Sequence, residues 1–473
     1  MAQALEKKTL SGKEKATYGL AAVGKDMVYM LSASYVLYYF QDVMGVSAVA
    51  MGVILMVARI FDALNDPIMG IITAKTRTRW GKFRPWLFIG TVINAVILYV
   101  MFSAPPSLSG SGLVAYAAVF YILWGTSYTM MDIPYWSMIP AFTEGGKERE
   151  NLTTLARSCA GVGSALITII TMIAVHALGG ADERVGFSRF ALIIAALFIL
   201  FETIAVVTIK EHSTVDVKTN SVKDMFRALV RNDQTLIVVL TIVLINTAIY
   251  ITSNLVIYFF KYDFGGDTWY NAYTLFNTFG GAIQILSMML LFPLLRKFFS
   301  TTQIFYIGAG SAILGYASLI AIAFLTSMNN VFVLFIPGFL IFAANGLLTV
   351  LVTVFLANTV DYGELKLGSR DESVVFSMQT FVVKLASGIA ALAASLTLSI
   401  NHIQKGGTDA DSVAMVIDQS ARTGLRLSMT VIPILLLVTA IIIFAKKFIL
   451  TETKVAEITE ELRAGRQAEE EVN

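Results

Sequence analysis

The sequence predicts an all-α protein that crosses a membrane many times. Of its 473 residues, 56% are hydrophobic and only 14% are charged, and the mean hydropathy is +0.71. An ordinary soluble protein carries roughly 25% charged residues. Here apolar runs of about 18 residues or more recur along most of the chain, and each is long enough to cross a ~30 Å hydrocarbon core. These observations predict a polytopic helical membrane protein.

The apolar runs form twelve predicted transmembrane helices, arranged as two sets of six. The first set is expected near 17–40, 46–74, 86–104, 112–140, 154–178 and 187–209. The second set is expected near 235–261, 271–294, 303–326, 331–359, 373–400 and 425–448. The predicted domains are therefore an amino-terminal bundle at 1–209, a cytoplasmic linker at 210–234, a carboxy-terminal bundle at 235–450 and a tail at 451–473. The charged tail is expected to form a solvated amphipathic helix.

The distribution of basic residues predicts how the chain is oriented. Basic residues concentrate in the segments predicted to be cytoplasmic, such as 75–84, whereas the opposite loops contain few or none. Cytoplasmic loops of membrane proteins carry such an excess of Lys and Arg. The first sixteen residues are polar and basic, and no small-residue cleavage site follows a short apolar core. With twelve helices, both termini are expected in the cytoplasm.

The composition argues against a membrane enzyme such as a glycosyltransferase. The single cysteine, Cys159, excludes intramolecular disulfides and a Cys-based metal cluster. A catalytic centre would need a substantial aqueous loop, and no predicted loop exceeds about 25 residues. The three histidines, His176, His212 and His402, are expected in loops at the membrane edges. The sequence therefore predicts a protein that is not an enzyme.

Charged residues inside the predicted membrane helices cluster on a few of them. An ionisable side chain there costs about 2.5–3.5 kcal/mol on insertion scales, and such residues usually mark a substrate or ion pathway. The residues concerned are Lys25, Asp26, Arg59, Asp62, Asp66, Asp132 and Lys384, with Arg157 near the start of the fifth predicted helix. This concentration predicts a binding site for a polar or charged solute within the membrane.

Two carboxylates in the second predicted helix are four residues apart. Asp62 and Asp66 therefore project from one helical face, with Asn65 alongside. Carboxylates that close repel each other, so one must bind a proton or a cation must lie between them. Carboxylate, amide and hydroxyl oxygens suit a small hard cation better than a soft transition metal. The pattern predicts a cation site.

A purely structural role is the alternative for these acids. They would then form salt bridges with Arg59, Lys25 or Lys384 and hold the helices together. The concentration of nearly all such charge on a few helices favours the cation site over this alternative.

Two aromatic residues and a carboxylate lie along one face of the fourth predicted helix. Tyr128, Asp132 and Trp136 are spaced i, i+4 and i+8, so they share one slowly drifting face. The apolar C–H face of a sugar packs on an aromatic ring, and its hydroxyls donate to a carboxylate. The same stripe also suits an organic cation through cation–π contact and ion pairing. Trp136 taken alone is equally consistent with packing.

Several long motifs resemble those of a known family. These are DPIMG followed by TRTRWGKFRPW, then YILWGTSYTMMDIPYWSMIP, NTVDYGELK and MQTFVVK, with GKD in the first predicted helix. In this order they are similar to the melibiose permeases, which belong to the glycoside–pentoside–hexuronide:cation symporters of the major facilitator superfamily. The resemblance covers almost the whole chain. It implies twelve transmembrane helices in two six-helix bundles, which rock about a central site.

The resemblance also implies a role for individual residues. The cation site, for Na⁺, Li⁺ or a proton, would comprise Asp62, Asn65, Asp66 and Thr129, with Asp62 and Asp66 as the ligands of Na⁺. Sugar hydroxyls would bind to Asp26 and Asp132, surrounded by Lys25, Tyr128, Trp136 and Arg157. Gln379, Thr380 and Lys384 would form the opposite wall.

The function implied is uptake of a sugar, such as the galactoside melibiose, together with Na⁺, Li⁺ or H⁺. No cofactor is expected beyond the co-transported ion, and the expected partners are the sugar, the cation and the lipid bilayer, without nucleic acid. The resemblance implies a bacterial inner membrane as the location. The chain departs from melibiose permeases at Thr349, where they carry tryptophan, and at Asn358, where they carry aspartate. These departures leave the identity of the sugar open.

Two alternatives remain within transport. One is cation-coupled uptake of another glycoside, a pentoside or a hexuronide. The other is a proton-coupled or uncoupled transporter of another small solute, which would show no response to sodium.

Overall fold

A computed structural model describes most of the chain as α-helix. The described residues are 10–142, 146–209, 231–266, 268–326, 330–367, 372–403 and 418–472. Side chains are not described at some helical positions, among them 140–151 and 372–380. Within the described ranges there is no β-strand, and an isolated bridge joins Thr78 to Gly81.

The helices divide between two compact units. The first unit contains α1 (Gly12–Tyr38), α2 (Ala48–Lys75), α3 (Arg84–Met101), α4 (Gly110–Phe142), α5 (Gly146–Gly179) and α6 (Glu183–Thr208). The second contains α7 (Asp233–Tyr258), α8 (Trp269–Leu286), α9 (Thr301–Leu325), α10 (Phe335–Leu367), α11 (Glu372–Ile400), α12 (Gln419–Lys447) and α13 (Glu452–Val472). Short π-helical turns prolong α1 (Tyr39–Val43), α7 (Phe259–Phe264) and α8 (Ser287–Leu291).

The number and length of the apolar helices confirm the predicted membrane fold. Among the described residues, eleven helices are long and apolar enough to cross a membrane. Helix α1 is as long as most of them, at 27 residues, but Lys25 and Asp26 near its centre lower its hydropathy. With α1 included, the chain has the twelve membrane helices that its apolar runs predict. The predicted linker at 210–234 lies mostly outside the described residues, so the domain borders stay predictions.

Several helices extend beyond the predicted borders. Helix α1 begins at Gly12, because Ser11 and Glu14 form a capping box there. Helix α5 begins at Gly146 rather than near 154, and α10 runs to Leu367 rather than ending near 359. These helix ends are polar and charged. Hydropathy identifies only the part of a helix that lies in hydrocarbon, so it underestimates helices whose ends lie in water.

Close helix contacts fix the first unit. Helix α1 packs on α5 and α6, α2 on α4, and α3 on α4 and α6. A Cβ added at Gly163 of α5 would lie 2.3 Å from the carbonyl oxygen of Val23 in α1. One added at Gly90 of α3 would lie 2.9 Å from the backbone nitrogen of Met131 in α4. These backbone-to-backbone approaches position α1 and α4, which carry most of the predicted sugar residues.

A buried ion pair joins three helices in the second unit. Arg426 of α12 binds Asp263, just after α7, through two hydrogen bonds of 2.7 and 2.8 Å. The same guanidinium donates to the carbonyl of Ala323 in α9. The side chain of Asp263 is fully buried. The sequence analysis did not identify this pair.

The tail and one histidine correct the sequence-based expectations. The carboxylate of Glu452, at the start of α13, accepts hydrogen bonds from Arg296 (2.6 Å) and from the backbone N–H of Thr301 (2.9 Å). The predicted solvated helix is therefore docked at its first turn. His176 lies within α5, not in a loop, and its Nε2 is 3.4 Å from Glu183. His402 lies in a turn after α11, and His212 is outside the described residues.

Candidate functional site

A single buried ammonium group links two carboxylates between α1 and α4. Lys25 Nζ lies 3.0 Å from Asp26 Oδ2 and 2.7 Å from Asp132 Oδ1, and it also donates to the hydroxyl of Tyr128 at 3.2 Å. Its three N–H groups thus have three oxygen neighbours. The lysine compensates for one of the two negative charges and links α1 to α4 at this depth.

An aromatic wall lies beside this cluster. The indole N–H of Trp136 donates to Asp132 Oδ1 at 3.0 Å. The guanidinium carbon of Arg157 lies 4.0 Å from the centre of the Trp136 ring, a cation–π contact. The hydroxyl of Ser164, which the sequence analysis did not single out, is 3.5 Å from Asp26 Oδ1. The structure thus brings together the predicted sugar residues of the first unit.

The acids of this cluster retain access for a polar ligand. The side chains of Asp26 and Asp132 are 19% and 25% exposed, whereas that of Lys25 is 4% exposed. The cluster contains two cations, Lys25 and Arg157, and two anions, so its formal charge is zero. It offers a flat aromatic surface and carboxylate lone pairs without an excess of either charge. This combination suits a neutral polyhydroxylated molecule.

The second cluster surrounds the paired acids of α2. The hydroxyl of Thr129 donates to Asp66 Oδ1 at 3.0 Å, and a guanidinium nitrogen of Arg59 lies 3.6 Å from Asp62 Oδ2. Arg59 and Asp62 are both buried, whereas Asp66 and Asn65 are half-buried. The cluster thus combines two carboxylates, a hydroxyl and a guanidinium. Its oxygen atoms are hard ligands of the kind that small cations prefer.

Helix α4 connects the two clusters. Thr129 contacts the cation cluster, and its neighbour Tyr128 contacts Lys25 in the sugar cluster. Tyr29 lies between them, with its ring 5.3 Å from the Tyr128 ring and 5.7 Å from the guanidinium carbon of Arg59. A movement of α2 against α4 therefore reaches both sets of side chains through direct contacts.

Gly125 is a further part of the cation cluster that the sequence analysis missed. A Cβ added at this position would lie 2.3 Å from Asp62 Oδ1, so only glycine leaves room for the carboxylate as it is placed. Gly125 precedes Thr129 by one helical turn and therefore shares its face of α4. The four-residue spacing between Gly125 and Thr129 is visible in the sequence and could have indicated that Gly125 belongs to the cation cluster.

The structural alternative accounts for part of the geometry. Arg59 does pair with Asp62, and Lys25 with Asp26 and Asp132, as that alternative requires. It does not account for the placement of two carboxylates four residues apart on α2, both of them close to α4. Lys384 is half-buried on α11 in the second unit, and the side chains of Gln379 and Thr380 lie outside the described part of the chain. The roles assigned to the individual residues therefore stay predictions.

Glu202 of α6 is an intramembrane acid that the sequence analysis overlooked. It is the only charged residue in the run FALIIAALFILFETIAVVTI, and its side chain is almost completely buried. A single acid within a long apolar run is enough to indicate an intramembrane acid from the sequence alone.

Comparison with known proteins extends over the whole chain. The model of the family described as MFS/sugar transport protein matches residues 17–451. A raffinose carrier protein of Pediococcus pentosaceus is 30% identical over 94% of this chain and 70% of its own length. The inner membrane symporter YicJ of Escherichia coli is 27% identical over 98% of this chain and 97% of its own length.

A solved structure supports the fold independently. A proton-dependent oligopeptide transporter superposes with a TM-score of 0.66 at 14% identity, covering 95% of this chain and 99% of that one. At that identity the likeness concerns the fold alone. The family match and the sugar-carrier relatives confirm the resemblance seen in the sequence motifs. The chain belongs to the MFS/sugar transport protein family, and it is a membrane transporter and not an enzyme.

Proposed function

We propose that the protein is a secondary active symporter, which couples the inward movement of one monovalent cation to the uptake of a sugar. The observation that carries the proposal is the sharing of α4 by two chemically distinct clusters. Thr129 is bonded to Asp66, and three residues later Asp132 is bonded to Lys25. Because the proposed cation site and sugar site share one helix, binding at one site can affect binding at the other through that helix.

The proposed cation is Na⁺, with Li⁺ or a proton as the alternatives. Asp62 and Asp66 would supply carboxylate oxygens, and Asn65 and Thr129 would supply neutral oxygens. Such ligands suit hard cations. The two carboxylates repel each other unless one binds a proton or a cation lies between them, which supports one bound ion.

The proposed sugar is a neutral galactoside such as melibiose. Asp26 and Asp132 would accept hydrogen bonds from its hydroxyls, and Trp136 would pack against its apolar face. The charge balance of this cluster within the first unit supports a neutral ligand over a hexuronide, since each carboxylate already has a cationic neighbour. The raffinose carrier among its relatives supports a sugar as the cargo.

The coupling would arise because the two sites share α4. Without the cation, repulsion between the Asp62 and Asp66 carboxylates disfavours close packing of Asp66 against α4. A bound cation removes that repulsion and lets Thr129 and Tyr128 settle together, which positions Asp132 and Lys25 for the sugar. Coupling between two sites is reciprocal, so the sugar must tighten cation binding by the same factor.

The energy available is sufficient for uphill transport. One charge crossing a potential of 100 mV releases about 2.3 kcal/mol. Because 1.4 kcal/mol corresponds to a tenfold ratio, this supports roughly fifty-fold accumulation of the sugar. In the proposed setting, a bacterial inner membrane with both chain termini in the cytoplasm, the potential drives cations inward. The two bundles would alternate access to the sites by rocking.

Sugar uptake into membrane vesicles tests the proposal. Vesicles containing the protein are given a labelled galactoside with an inward gradient of Na⁺, Li⁺ or protons, or with no gradient. We expect accumulation with at least one of these gradients, and only equilibration without a gradient. Asp66→Asn is expected to abolish the response to the cation.

The matched control for this test is Asp182→Asn. Asp182 caps the amino terminus of α6, outside both clusters, and asparagine caps a helix equally well. It should transport like the unmodified protein. Equal uptake with and without every gradient would contradict the proposed coupling.

A further inference from the structure

Glu202 lies in the carboxy-terminal half of α6, and no hydrogen-bond partner for its carboxyl group is found among the described residues. Its side chain is 1% exposed. Both carboxyl oxygens are buried, and neither has a hydrogen-bond partner among the described residues. A buried carboxylate needs hydrogen bonds or a paired cation to stay charged, and without them it takes up a proton. The isolation of Glu202 therefore already favours the neutral acid.

Glu202 faces a small cavity with room for at most a single water molecule. The walls include Leu87 of α3, Tyr18 of α1, and Tyr135 and Met138 of α4. The cavity leaves about 10 Å³ open to a water-sized sphere, which is the lower limit for holding a single water molecule. Neither bulk water nor a buried water cluster can therefore stabilise a negative charge at this position.

The two tyrosines in the wall can accept a hydrogen bond from Glu202 but cannot donate one to it. The hydroxyl of Tyr18 donates to the carbonyl of Tyr135 at 2.6 Å, and the hydroxyl of Tyr135 donates to the carbonyl of Tyr18 at 2.9 Å. Their rings are stacked with centres 4.4 Å apart, which holds this reciprocal pair together. Each hydroxyl proton is already used, so only the oxygen lone pairs remain. A protonated carboxyl can donate to such an oxygen, and a carboxylate cannot receive a bond from it.

Among the described residues, the charged groups near Glu202 are Lys25 and Asp132 of the sugar cluster. Lys25 attracts a negative charge on Glu202 and Asp132 repels it. The ammonium group of Lys25 is already matched by Asp26, Asp132 and Tyr128. Helices α3 and α5 also pack on α6, but neither contributes a titratable side chain to the described cavity wall. An ionised Glu202 would have to compete with Asp132 for Lys25.

We propose that Glu202 is a proton-binding site of the first bundle, separate from the cation site at Asp62 and Asp66, and that its proton keeps Lys25 bound to Asp132. When α6 opens toward water, the carboxyl releases its proton to the solvent. The new charge then draws Lys25 away from Asp132 and weakens the sugar cluster. The protonation follows from the geometry alone, whereas the effect on sugar binding rests on the proposed function.

Infrared spectroscopy tests the protonation directly. The full-length protein in lipid, at neutral pH, should show the C=O stretching band of a protonated carboxyl, and this band should shift when the sample is transferred to D₂O. Glu202→Gln should remove the band. If Glu202→Gln does not fold, Glu202→Met is tested instead. Replacing a buried, unpaired acid by an apolar residue of similar size should not cost much stability. A spectrum in which neither variant removes the band overturns the proposal.

Glu183→Gln is the matched control. Glu183 lies at the start of the same helix, and its carboxylate accepts a hydrogen bond from Tyr38 at 2.6 Å and lies near His176. This variant should keep the band.

The second measurement is the pH dependence of galactoside binding. The affinity of the unmodified protein should fall at high pH, and Glu202→Gln, which cannot ionise, should not show this fall. If galactoside affinity changed with pH in the same way in the unmodified protein and in Glu202→Gln, the proposed competition between Glu202 and Asp132 for Lys25 would be wrong. If neither protein bound any galactoside, the proposed function would fail, and the infrared result would still decide whether Glu202 binds a proton.

Discussion

The two halves of the molecule bury charge in opposite ways. In the second unit, Arg426 and Asp263 form a two-bond pair, and the guanidinium also binds the Ala323 carbonyl. That pair is balanced in charge and closed, since the Asp263 side chain has no exposed surface. In the first unit, Lys25 is shared between two acids whose side chains are partly exposed. The paired acids of α2 lie beside Arg59 and Thr129, and Asp66 is half-buried.

The difference separates a structural ion pair from a binding site. A matched and enclosed pair holds helices together and has no remaining capacity for a ligand. A partly exposed acid inside a membrane helix can still bind a ligand. In the first unit, the proposed ligands are a cation and a sugar. Burial of charge alone therefore does not indicate a binding site, and the charged groups must also be accessible.

The largest effect is expected from breaking the closed pair. Asp263→Asn leaves Arg426 buried without its counter-charge, and removing one partner of a buried pair costs about 3–5 kcal/mol. The variant should unfold at a markedly lower temperature in detergent than the unmodified protein. Asp263→Asn with an unchanged unfolding temperature would show that the pair is not a structural clamp.

The next largest effect is expected from Asp132→Asn in the open cluster. Hydrogen bonds to a charged group contribute about 1.5–3 kcal/mol, so sugar affinity should fall at least about tenfold. The fold should tolerate the change, because Lys25 keeps Asp26 as a counter-ion. Calorimetric titration with a galactoside measures the affinity, and thermal unfolding measures the stability. Normal affinity in this variant would remove Asp132 from the sugar site.

A smaller effect is expected from Gly125→Ala. The added methyl group would displace the Asp62 carboxylate, since it would lie 2.3 Å from Oδ1. The cation concentration that gives half-maximal sugar uptake should rise several-fold. Gly161→Ala is the matched control, because nothing lies within 4 Å of its added Cβ. Identical cation dependence in the two variants would argue against Asp62 as a cation ligand.

The smallest effect concerns the docked tail. The backbone N–H of Thr301, with the charge of Arg296, lowers the pKa of Glu452 below its ordinary value of 4.5. A carboxyl with a lowered pKa in the docked state contributes to docking above its ordinary pKa, and this contribution is lost as the pH falls through the lowered value. The protection of α13 amides from hydrogen exchange, measured relative to the intrinsic exchange rate at each pH, should therefore fall below about pH 4.5.

Two variants separate the role of Glu452 from general acid sensitivity. Glu452→Gln should exchange faster in α13 at neutral pH as well. Glu457→Gln removes an exposed pair with Lys454 on the same helix and should change nothing. Equal exchange in both variants would contradict the docking.

The helices were predictable because their signal is local. An apolar run long enough to span hydrocarbon is visible in the sequence without knowledge of its neighbours, and so is the paired placement of Asp62 and Asp66. The helix ends were not predictable to the same degree. At Gly146 and Leu367 the helices continue into polar sequence, where hydropathy carries no information.

The contacts between helices were only partly predictable. The position of Gly125 against Asp62 depends on how α2 and α4 cross, and that crossing is set by packing along both helices. The pairing of Asp263 with Arg426 joins residues far apart in the chain, so neither residue indicates the other. Glu202 is different, because a lone acid in an apolar run is a local signal that was open to sequence analysis.

The most direct test of the central claim is equilibrium binding to the purified protein. A galactoside is titrated at increasing Na⁺ and then at increasing Li⁺, at constant pH and ionic strength, and cation binding is measured with and without the sugar. If the clusters on α4 are coupled sites, one of the cations raises sugar affinity, the sugar raises that cation's affinity by the same factor, and Asp66→Asn abolishes both effects. Sugar affinity that stays constant across both cation series and across the pH range would contradict the account.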